Sequence, residues 1–335
     1  MNMKKPAPFR RGSGSFKHHC ARRWWVYVIG FAVINVSIIL GVIYGIIPSI
    51  AQNAVNSAGV RADGIAITNP TVDRITLSMN STVFARVPVA ARFDNQTFEM
   101  YLPQDANKTT FMTLGVGELQ AQNTMVINVT GADTKILNAT VYQQFSKDVL
   151  SRSNFTLGIK SRPMLKVGAM KYPVQFDKTI QLKGFNGLKG ITITNPVVLN
   201  GSNVMADGTN LLTDAVIPNP SSFTMQIGDL TTNIAIESLD LGFSVIKNLT
   251  LYPGNNPVKI FNHINAGLMA LPTFSSILSQ PNINITLKMN STVFGGQHVT
   301  WLETPLRETS PFYAIMNPTS APAVGSATAG ELSVA

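Results

Sequence analysis

The hydrophobic positions of the chain follow two patterns, one continuous and one alternating. The continuous one is WWVYVIGFAVINVSIILGVIYGII, residues 24–47, which contains no charged residue. It is long enough to cross a bilayer core of about 30 Å as one helix. Aromatic residues, which favour the membrane–water interface, lie near both ends, with Trp24 at the start and Tyr44 near the finish. The apolar part of a signal peptide has only about 7–15 residues. We therefore predict an uncleaved transmembrane helix at 24–47 that ends at Pro48.

The alternating pattern follows this helix and predicts β-strands. In FTMQI, Phe223, Met225 and Ile227 alternate with polar residues, as in a strand with one buried and one solvent-facing side. Many short strands without regular helices between them indicate antiparallel sandwiches or barrels. Further runs of this kind lie at 74–84, 96–102, 124–130, 154–160, 233–241 and 283–289.

Two stretches have helical spacing instead, at 132–152 and 262–280. Each has an apolar stripe that we expect to face the core. Pro272 interrupts the second stretch, which predicts two short helices there. The stripes consist of Val141, Phe145 and Val149 in the first stretch and of Leu268, Leu271, Phe274 and Leu278 in the second.

The alternating region repeats itself. The string ITNP occurs at 67–70 and again at 193–196. We interpret residues 61–186 and 187–312 as two homologous units. A small, polar stalk at 48–60 precedes them, and a flexible tail at 313–335 follows. Another near-identity, between ITLSMNSTVF at 75–84 and ITLKMNSTVF at 285–294, has a different offset that a simple duplication does not produce.

The net charge of +9 is concentrated at one end of the chain. Residues 1–23 hold seven Lys and Arg and no Asp or Glu, whereas the other 312 residues carry 19 Lys and Arg against 17 Asp and Glu. The bulk of the chain has no excess of cations to neutralise phosphates, which argues against nucleic-acid binding. A basic flank stays cytoplasmic. We therefore predict a single-pass type II membrane protein with a cytoplasmic N-terminus at 1–23.

One segment resembles a known family. Residues 215–260, AVIPNPSSFTMQIGDLTTNIAIESLDLGFSVIKNLTLYPGNNPVKI, are similar to the LEA-2, or water-stress, type of domain. The shared features are an apolar start with Asn-Pro, alternating strands and a turn near Pro-Gly. The basic tail, single anchor and two such units resemble fungal membrane proteins with the DUF3712 domain. The first unit departs from the pattern, because Asp94-Asn95-Gln96 stands where the second unit has Asn219-Pro220.

The resemblance implies a mainly β fold of two tandem immunoglobulin-like (LEA-2-like) β-sandwich units, each with a short packed helix. It also implies an apolar groove that accommodates lipid, and it favours the vacuolar membrane over the plasma membrane. Proline fixes φ and removes a donor, so Asn-Pro suits the start or edge of a strand. We interpret three such pairs as structural. They are Asn69-Pro70, Asn195-Pro196 and Asn219-Pro220.

Modification sites support the predicted orientation. Ten N-x-S/T sequons follow the membrane segment, as expected of a glycosylated lumenal or extracellular region. Asn35 lies in a sequon inside the span, and we expect it unmodified. The only cysteine, Cys20, is a candidate for S-palmitoylation or remains a free thiol. The ten candidates are Asn80, Asn95, Asn107, Asn128, Asn138, Asn154, Asn200, Asn248, Asn284 and Asn290.

The sequence lacks a recognisable catalytic motif. Beyond the span it has two histidines, His263 and His298, without the spacing of a zinc site. It has neither a G-x-S-x-G elbow nor a P-loop, and its carboxylates are scattered. We therefore predict no catalytic residues, no metal site and no cofactor.

The leading hypothesis is a membrane-anchored, non-enzymatic glycoprotein whose β domains bind lipid or a protein partner. The alternative is a structural or adhesive surface glycoprotein without a ligand cavity. A third, less favoured hypothesis is a glycan-active enzyme, which requires two carboxylates facing one cleft.

Overall fold

The computed structural model of the protein describes residues 29–86, 90–237 and 239–317. The chain divides into two units, Met1–Ala54 and Val55–Ala335. Several predicted features lie outside the described residues: the basic tail with Cys20, residues 24–28 of the predicted span, and residues 318–335 of the predicted flexible tail at 313–335. Residues 313–316 of that tail are not flexible coil but belong to a β-strand, Phe312–Met316, because Ala314 and Met316 are buried.

The first helix, α1, spans Ile29–Ser57 and is long and apolar enough to cross a membrane, a property that N-terminal signal sequences share. It does not end at Pro48. A π-helical turn at Val42–Ile46 lies just before the proline, with the Ile47 N–H donating to the Val42 carbonyl. Such a turn accommodates a residue that lacks the N–H donor. Residues 48–57, predicted as part of a stalk, are therefore helical.

The β body that follows α1 contains nineteen strands and four helices in its described residues. The first-half strands are β1 Gly59–Thr68, β2 Arg74–Phe84, β3 Ala91–Phe93, β4 Gln96–Tyr101, β5 Met112–Val116, β6 Leu119–Ala121, β7 Thr124–Lys135, β8 Asn154–Ser161, β9 Met164–Val167, β10 Met170–Pro173 and β11 Phe176–Lys183. The second-half strands are β12 Ile191–Val198, β13 Leu211–Asn219, β14 Phe223–Ile236, β15 Leu239–Leu251, β16 Gly254–Ile264, β17 Ile283–Phe294, β18 Gln297–His298 and β19 Phe312–Met316. The helices are α2 Ala139–Ser151, α3 Ala266–Met269, α4 Pro272–Leu278 and α5 Thr300–Thr309.

The first half is a β-sandwich. Strands β1, β2 and β7 form one layer, and β11, β8, β4 and β5 form the other in that order. Inward side chains from both layers, such as Ile75 and Leu77 of β2 and Leu157 of β8, belong to one buried apolar cluster. The alternation along the sequence therefore gave the buried face of each layer correctly, and the mainly β class is confirmed.

The second half is a closed, barrel-like sheet of seven strands. The order is β17-β19-β12-β13-β16-β15-β14, and β14 pairs with β17 to close the ring. We predicted two immunoglobulin-like sandwich units; the second half is a barrel instead, and the immunoglobulin-like character of the first half stays a prediction. The reason lies in the strand edges, because β15 with β16 and β12 with β19 form ladders that make one continuous ring.

The two halves repeat one strand order. Reading β1-β2-β7-β5-β4-β8-β11 in the first half against β12-β13-β16-β15-β14-β17-β19 in the second gives a one-to-one correspondence. In the first half, the β7–β5 and β11–β1 edges touch without a full ladder, so it remains a sandwich. The near-identical strings at 75–84 and 285–294 belong to β2 and β17, which do not correspond in this order.

Strand β14 joins the two halves. Its start pairs in parallel with β1, with Phe223 beside Ile65, and its later part pairs along the same edge with β17. The change of partner occurs at Gly228, which has φ +86°. A Cβ at this position would lie 2.4 Å from the Val293 carbonyl oxygen, so the close approach of β17 requires glycine. The division between 186 and 187 stays a prediction.

The predicted helices differ from the observed ones in their bounds. The stretch 132–152 begins as strand β7 and becomes helix α2 only after Asn138, whose Oδ1 accepts from the Val141 N–H and caps the helix. The stretch 262–280 begins as strand β16, and the predicted division at Pro272 is confirmed. Helix α5 was not predicted, because Pro305 within it argues against a helix.

An aromatic cluster packs the two halves against each other. Trp301 of α5 contacts Tyr142 of α2 edge to face, with 4.8 Å between ring centroids. The Trp301 Nε1–H donates to the Thr71 carbonyl at 2.7 Å. Phe145 and Phe223 extend the cluster into the sandwich. All four rings are buried, so the core is shared between the halves.

Candidate functional site

The interior of the barrel holds a small, largely enclosed cavity. Inward residues of the barrel strands are mainly Ile and Leu, and they leave a volume of ≈ 30 Å³. We call this cavity the lumen pocket. None of its lining residues is ionisable. It therefore suits a neutral, largely apolar group.

Three polar side chains line the lumen pocket among these apolar residues: Thr213, Ser244 and Asn262. The Asn262 amide donates through Nδ2 to the Leu211 carbonyl and to Thr213 Oγ1, both at 3.1 Å. Asn262 is only 5% exposed, so these hydrogen bonds lie in the interior of the barrel.

Phe274 of α4 also lines the lumen pocket and is 6% exposed. The corresponding element of the first half, α2, is a 13-residue helix that buries Tyr142, Phe145 and Val149. In the second half, α3 and α4 are short, and Leu271 between them is 47% exposed. The prediction that Leu271 faces the core was therefore wrong, because the chain turns at Pro272. Among the described lining residues of the lumen pocket, Phe274 is the only one that comes from a helix.

A second, open cavity lies on the outer face of β1, β2 and β7. This outer groove has a volume of ≈ 580 Å³ and a floor of small or polar residues such as Gly64, Ser78 and Thr224. Asp63 is the only carboxylate among its lining residues. The Thr82 hydroxyl, followed by the Arg61 guanidinium, lowers the pKa of Asp63, so this carboxylate stays charged.

The ten predicted sequons lie in the β body with their asparagines at or near the surface. Nine are exposed, and Asn138 is half-buried because it caps α2. Asn80 and Asn128 are cross-strand partners and both line the outer groove. Asn35 lies within α1, where its Nδ2 donates to the Phe31 carbonyl at 2.7 Å. Modification of these sites stays a prediction.

The asparagines of the three Asn-Pro pairs make turn contacts. Asn69 and Asn195, which occupy the same place in the repeat, both have left-handed backbones, with φ 48° and 52°. Asn219 is buried, and its Nδ2 donates to the Phe223 carbonyl at 2.7 Å. None of the three asparagines lines the lumen pocket.

The two histidines lie apart from both cavities. The His263 ring stacks on Phe243, with centroids 4.3 Å apart. The His298 Nδ1 lies 2.7 Å from Glu303 Oε1, which also accepts from the Thr292 N–H. Among the described residues there is no group of three or more His, Cys, Asp or Glu arranged to hold a metal ion.

Sequence reasoning named Phe274 as a core residue but missed the polar side chains of the lumen pocket. The signal was present in β16, where the strict alternation of inward positions places Asn262 between the buried Ile260 and Ile264. A polar residue at an inward position of a strand indicates either a hydrogen-bond network or a binding site.

One segment of the chain matches a known protein family. Residues 109–234 match the family model described as a protein of unknown function, DUF3712. The match supports the DUF3712 family. The DUF3712 segment covers less than half of the chain, starting before β5 and ending within β14. It therefore includes parts of both halves of the β body. No curated protein matches the chain.

Some solved structures are distantly similar. A bacterial adhesin from Mobiluncus mulieris with intramolecular cross-links aligns at 8% identity over 70% of this chain and 81% of its own, with a TM-score of 0.21. A DUF4785 family protein from Legionella pneumophila aligns at 9% identity over 73% and 57%, with a TM-score of 0.22. An exo-chitosanase from Amycolatopsis orientalis aligns at 12% identity over 68% and 25%, with a TM-score of 0.20. TM-scores of this size do not establish a common overall fold.

Proposed function

We propose that this protein is a membrane-anchored, non-enzymatic glycoprotein whose second-half barrel binds a lipid chain in the lumen pocket. The observation that carries the proposal is an apolar pocket whose lining includes three neutral polar side chains and the buried ring of Phe274. We infer that this ring closes the pocket. The proposal also includes an uncleaved anchor with a cytoplasmic N-terminus, a LEA-2-like character of both halves and a location in the vacuolar membrane.

The small volume of the lumen pocket determines how a lipid chain enters it. A volume of ≈ 30 Å³ is about the space of one water molecule. A lipid chain therefore enters only when Phe274 leaves, and the bound chain replaces the phenyl ring. Each methylene that the ligand buries contributes about 0.8 kcal/mol, so a few carbons offset the exposure of the ring.

The polar cluster selects the head of the ligand. With no ionisable group in the lining, a charged head would be desolvated without compensation. A hydroxyl group, in contrast, is neutral and is able to exchange hydrogen bonds with the side chains of Thr213, Ser244 and Asn262. The geometry thus favours a neutral lipid with a hydroxyl group, such as a fatty alcohol or a diacylglycerol.

A plug variant tests this proposal. We expect Phe274→Ala to increase labelling of the barrel by a photoactivatable fatty alcohol several-fold, because the pocket is then open. The full chain is purified in detergent, labelled, and mapped by peptide mass spectrometry, which separates labels in β12, β16 and β17 from bulk-lipid labels in α1. Leu271→Ala is the matched control, since Leu271 is exposed and does not line the pocket.

Absence of barrel labelling in both the wild type and Phe274→Ala would overturn lipid binding. The favoured function would then be the second candidate, a structural or adhesive glycoprotein that binds a partner on its surface. The contrast in volume between the outer groove, ≈ 580 Å³, and the lumen pocket, ≈ 30 Å³, supports that candidate.

The orientation of the chain has its own test. We expect peptide-N-glycosidase to increase the electrophoretic mobility of the full chain isolated from its native host, because the exposed sequons of the β body face the glycosylating compartment. Asn154→Gln should remove one step of that shift, and Asn35→Gln should leave it unchanged. A chain whose mobility does not respond to the enzyme would contradict the lumenal placement.

A further inference from the structure

The first half contains a small sheet that the second half lacks. Its strand order is β10-β9-β3-β6, and none of these four strands has a counterpart in the barrel's strand order. It is built from the described residues of three insertions, at 85–86 and 90–95, at 117–123 and at 162–175. Because the barrel has no such sheet, the small sheet gives the first half a surface that the second half does not have.

These insertions carry the whole charge excess of the described residues. They hold five Lys and Arg against two carboxylates, Asp94 and Glu118. The rest of residues 29–317 holds fourteen Lys and Arg against fourteen Asp and Glu. The β body is therefore neutral outside the small sheet.

Three of these cations form a row across neighbouring strands. Arg92 of β3 is the cross-strand partner of Lys166 of β9, which is in turn the partner of Lys171 of β10. Directly opposite residues point to the same side of a sheet, and like charges there are destabilising. We call Arg92, Lys166 and Lys171 the cationic row.

The nearby carboxylates do not balance the cationic row. Lys166 and Lys171 share Asp94, with 3.4 Å between Lys171 Nζ and Asp94 Oδ2, while Arg92 reaches Glu118 only at 3.7 Å. The side chains of Arg92, Lys166 and Lys171 keep 63%, 36% and 56% of their surface exposed. All three therefore remain accessible to an external anion.

The opposite face of the small sheet fixes this orientation. Leu165 and Tyr172, which are cross-strand partners, are buried in the β body. Turning the cationic row inward would expose them. Met164 lies two residues from Lys166 and so shares its side of the strand, where it is half-exposed at 36%. The outer face thus combines cations with an apolar side chain, as surfaces that meet a bilayer interface do.

We propose that the cationic row docks on anionic phospholipid headgroups of the membrane that holds α1. This inference rests on the proposed anchor. Only Ala58 separates the end of α1 at Ser57 from the start of β1 at Gly59, so the β body is tethered to the proposed anchor by a short connection. A tethered surface meets headgroup phosphates at high effective concentration, and this favours the membrane over a soluble polyanion.

The test uses the full chain in nanodiscs of phosphatidylcholine, with or without phosphatidylserine. Lysine acetylation by a water-soluble reagent is followed by mass spectrometry. We expect Lys166 and Lys171 to react about fivefold more slowly in the anionic discs. Lys259 and Lys288, which are exposed on barrel strands, should react equally in both. Equal acetylation of Lys166 and Lys171 in both discs would overturn the inference.

A variant pair assigns the effect to the cationic row. In anionic discs, we expect Lys166→Gln/Lys171→Gln to lose the hydrogen-exchange protection of residues 164–173, and Lys259→Gln/Lys288→Gln to retain it. If dextran sulfate protects these residues and anionic discs do not, the partner is an acidic polysaccharide and the membrane proposal is wrong. Failure of the chain to co-elute with the discs would refute the anchor itself, whereas co-elution without protection refutes docking alone.

Discussion

Replacing Trp301 by alanine is expected to destabilise both halves of the β body together, by about 3–5 kcal/mol, as for other buried tryptophans. The indole lies in the buried cluster of α2 and α5, and its Nε1–H satisfies the Thr71 carbonyl of the first half. Removing it leaves a cavity and an unpaired carbonyl at the contact between the halves. Urea unfolding of the full chain in detergent, followed by circular dichroism, measures the loss.

Two controls interpret the Trp301 result. Trp301→Phe retains an aromatic ring and loses the N–H donor, so we expect a smaller loss, of about 1–3 kcal/mol. Tyr313→Ala removes an aromatic side chain that is largely exposed on β19, and we expect less than about 0.5 kcal/mol. If Trp301→Ala unfolds in two separate steps with one half unchanged, the shared core is not the contact that couples the halves.

Gly228→Ala is expected to open the barrel between β14 and β17. The new methyl group would lie 2.4 Å from the Val293 carbonyl oxygen, and the residue would keep a left-handed backbone with φ +86°. Strain and forced separation together should cost about 3 kcal/mol. Hydrogen exchange should show loss of protection in β17 opposite residues 229–236, while β1 and β2 keep theirs.

Gly295, in the turn between β17 and β18, provides the matched control. Gly295 also has a left-handed backbone, with φ +57°, but a Cβ there meets no atom within 4 Å. Gly295→Ala should therefore show only the backbone cost of about 1–2 kcal/mol and leave β17 protected. Equal effects of the two substitutions would mean that the contact with Val293 does not decide barrel closure.

Local sequence patterns predicted an element best where residues within that element are sufficient to define its buried face or its end. The alternation in FTMQI gave the buried face of β14, and the position of Pro272 gave the division between α3 and α4. Prediction failed at 132–135, which is the end of strand β7. There the Arg74–Asp133 ion pair and the ladder with β2 hold an extended chain. Such contacts join residues far apart in sequence, so no local periodicity records them.

The candidate site was predictable only in part. Phe274 was identified from the apolar stripe of the stretch 262–280. Its proposed role in closing the lumen pocket depends on the barrel around it. Asn262, Thr213 and Ser244 come from three strands, and only the register of the ladders brings them to one place. The cationic row has the same origin, since Arg92 and Lys166 become neighbours through the pairing of β3 with β9.

By itself, the sequence determined the apolar helix and the mainly β class, because each depends on the hydrophobic period or the composition within one segment. Tertiary structure decided that the second half closes into a barrel, that α1 continues past Pro48 and that the two halves share one core. Those outcomes depend on which strand edges meet and which side chains fill the space between elements. Both are set by non-local hydrogen bonding and packing, which local spacing does not encode.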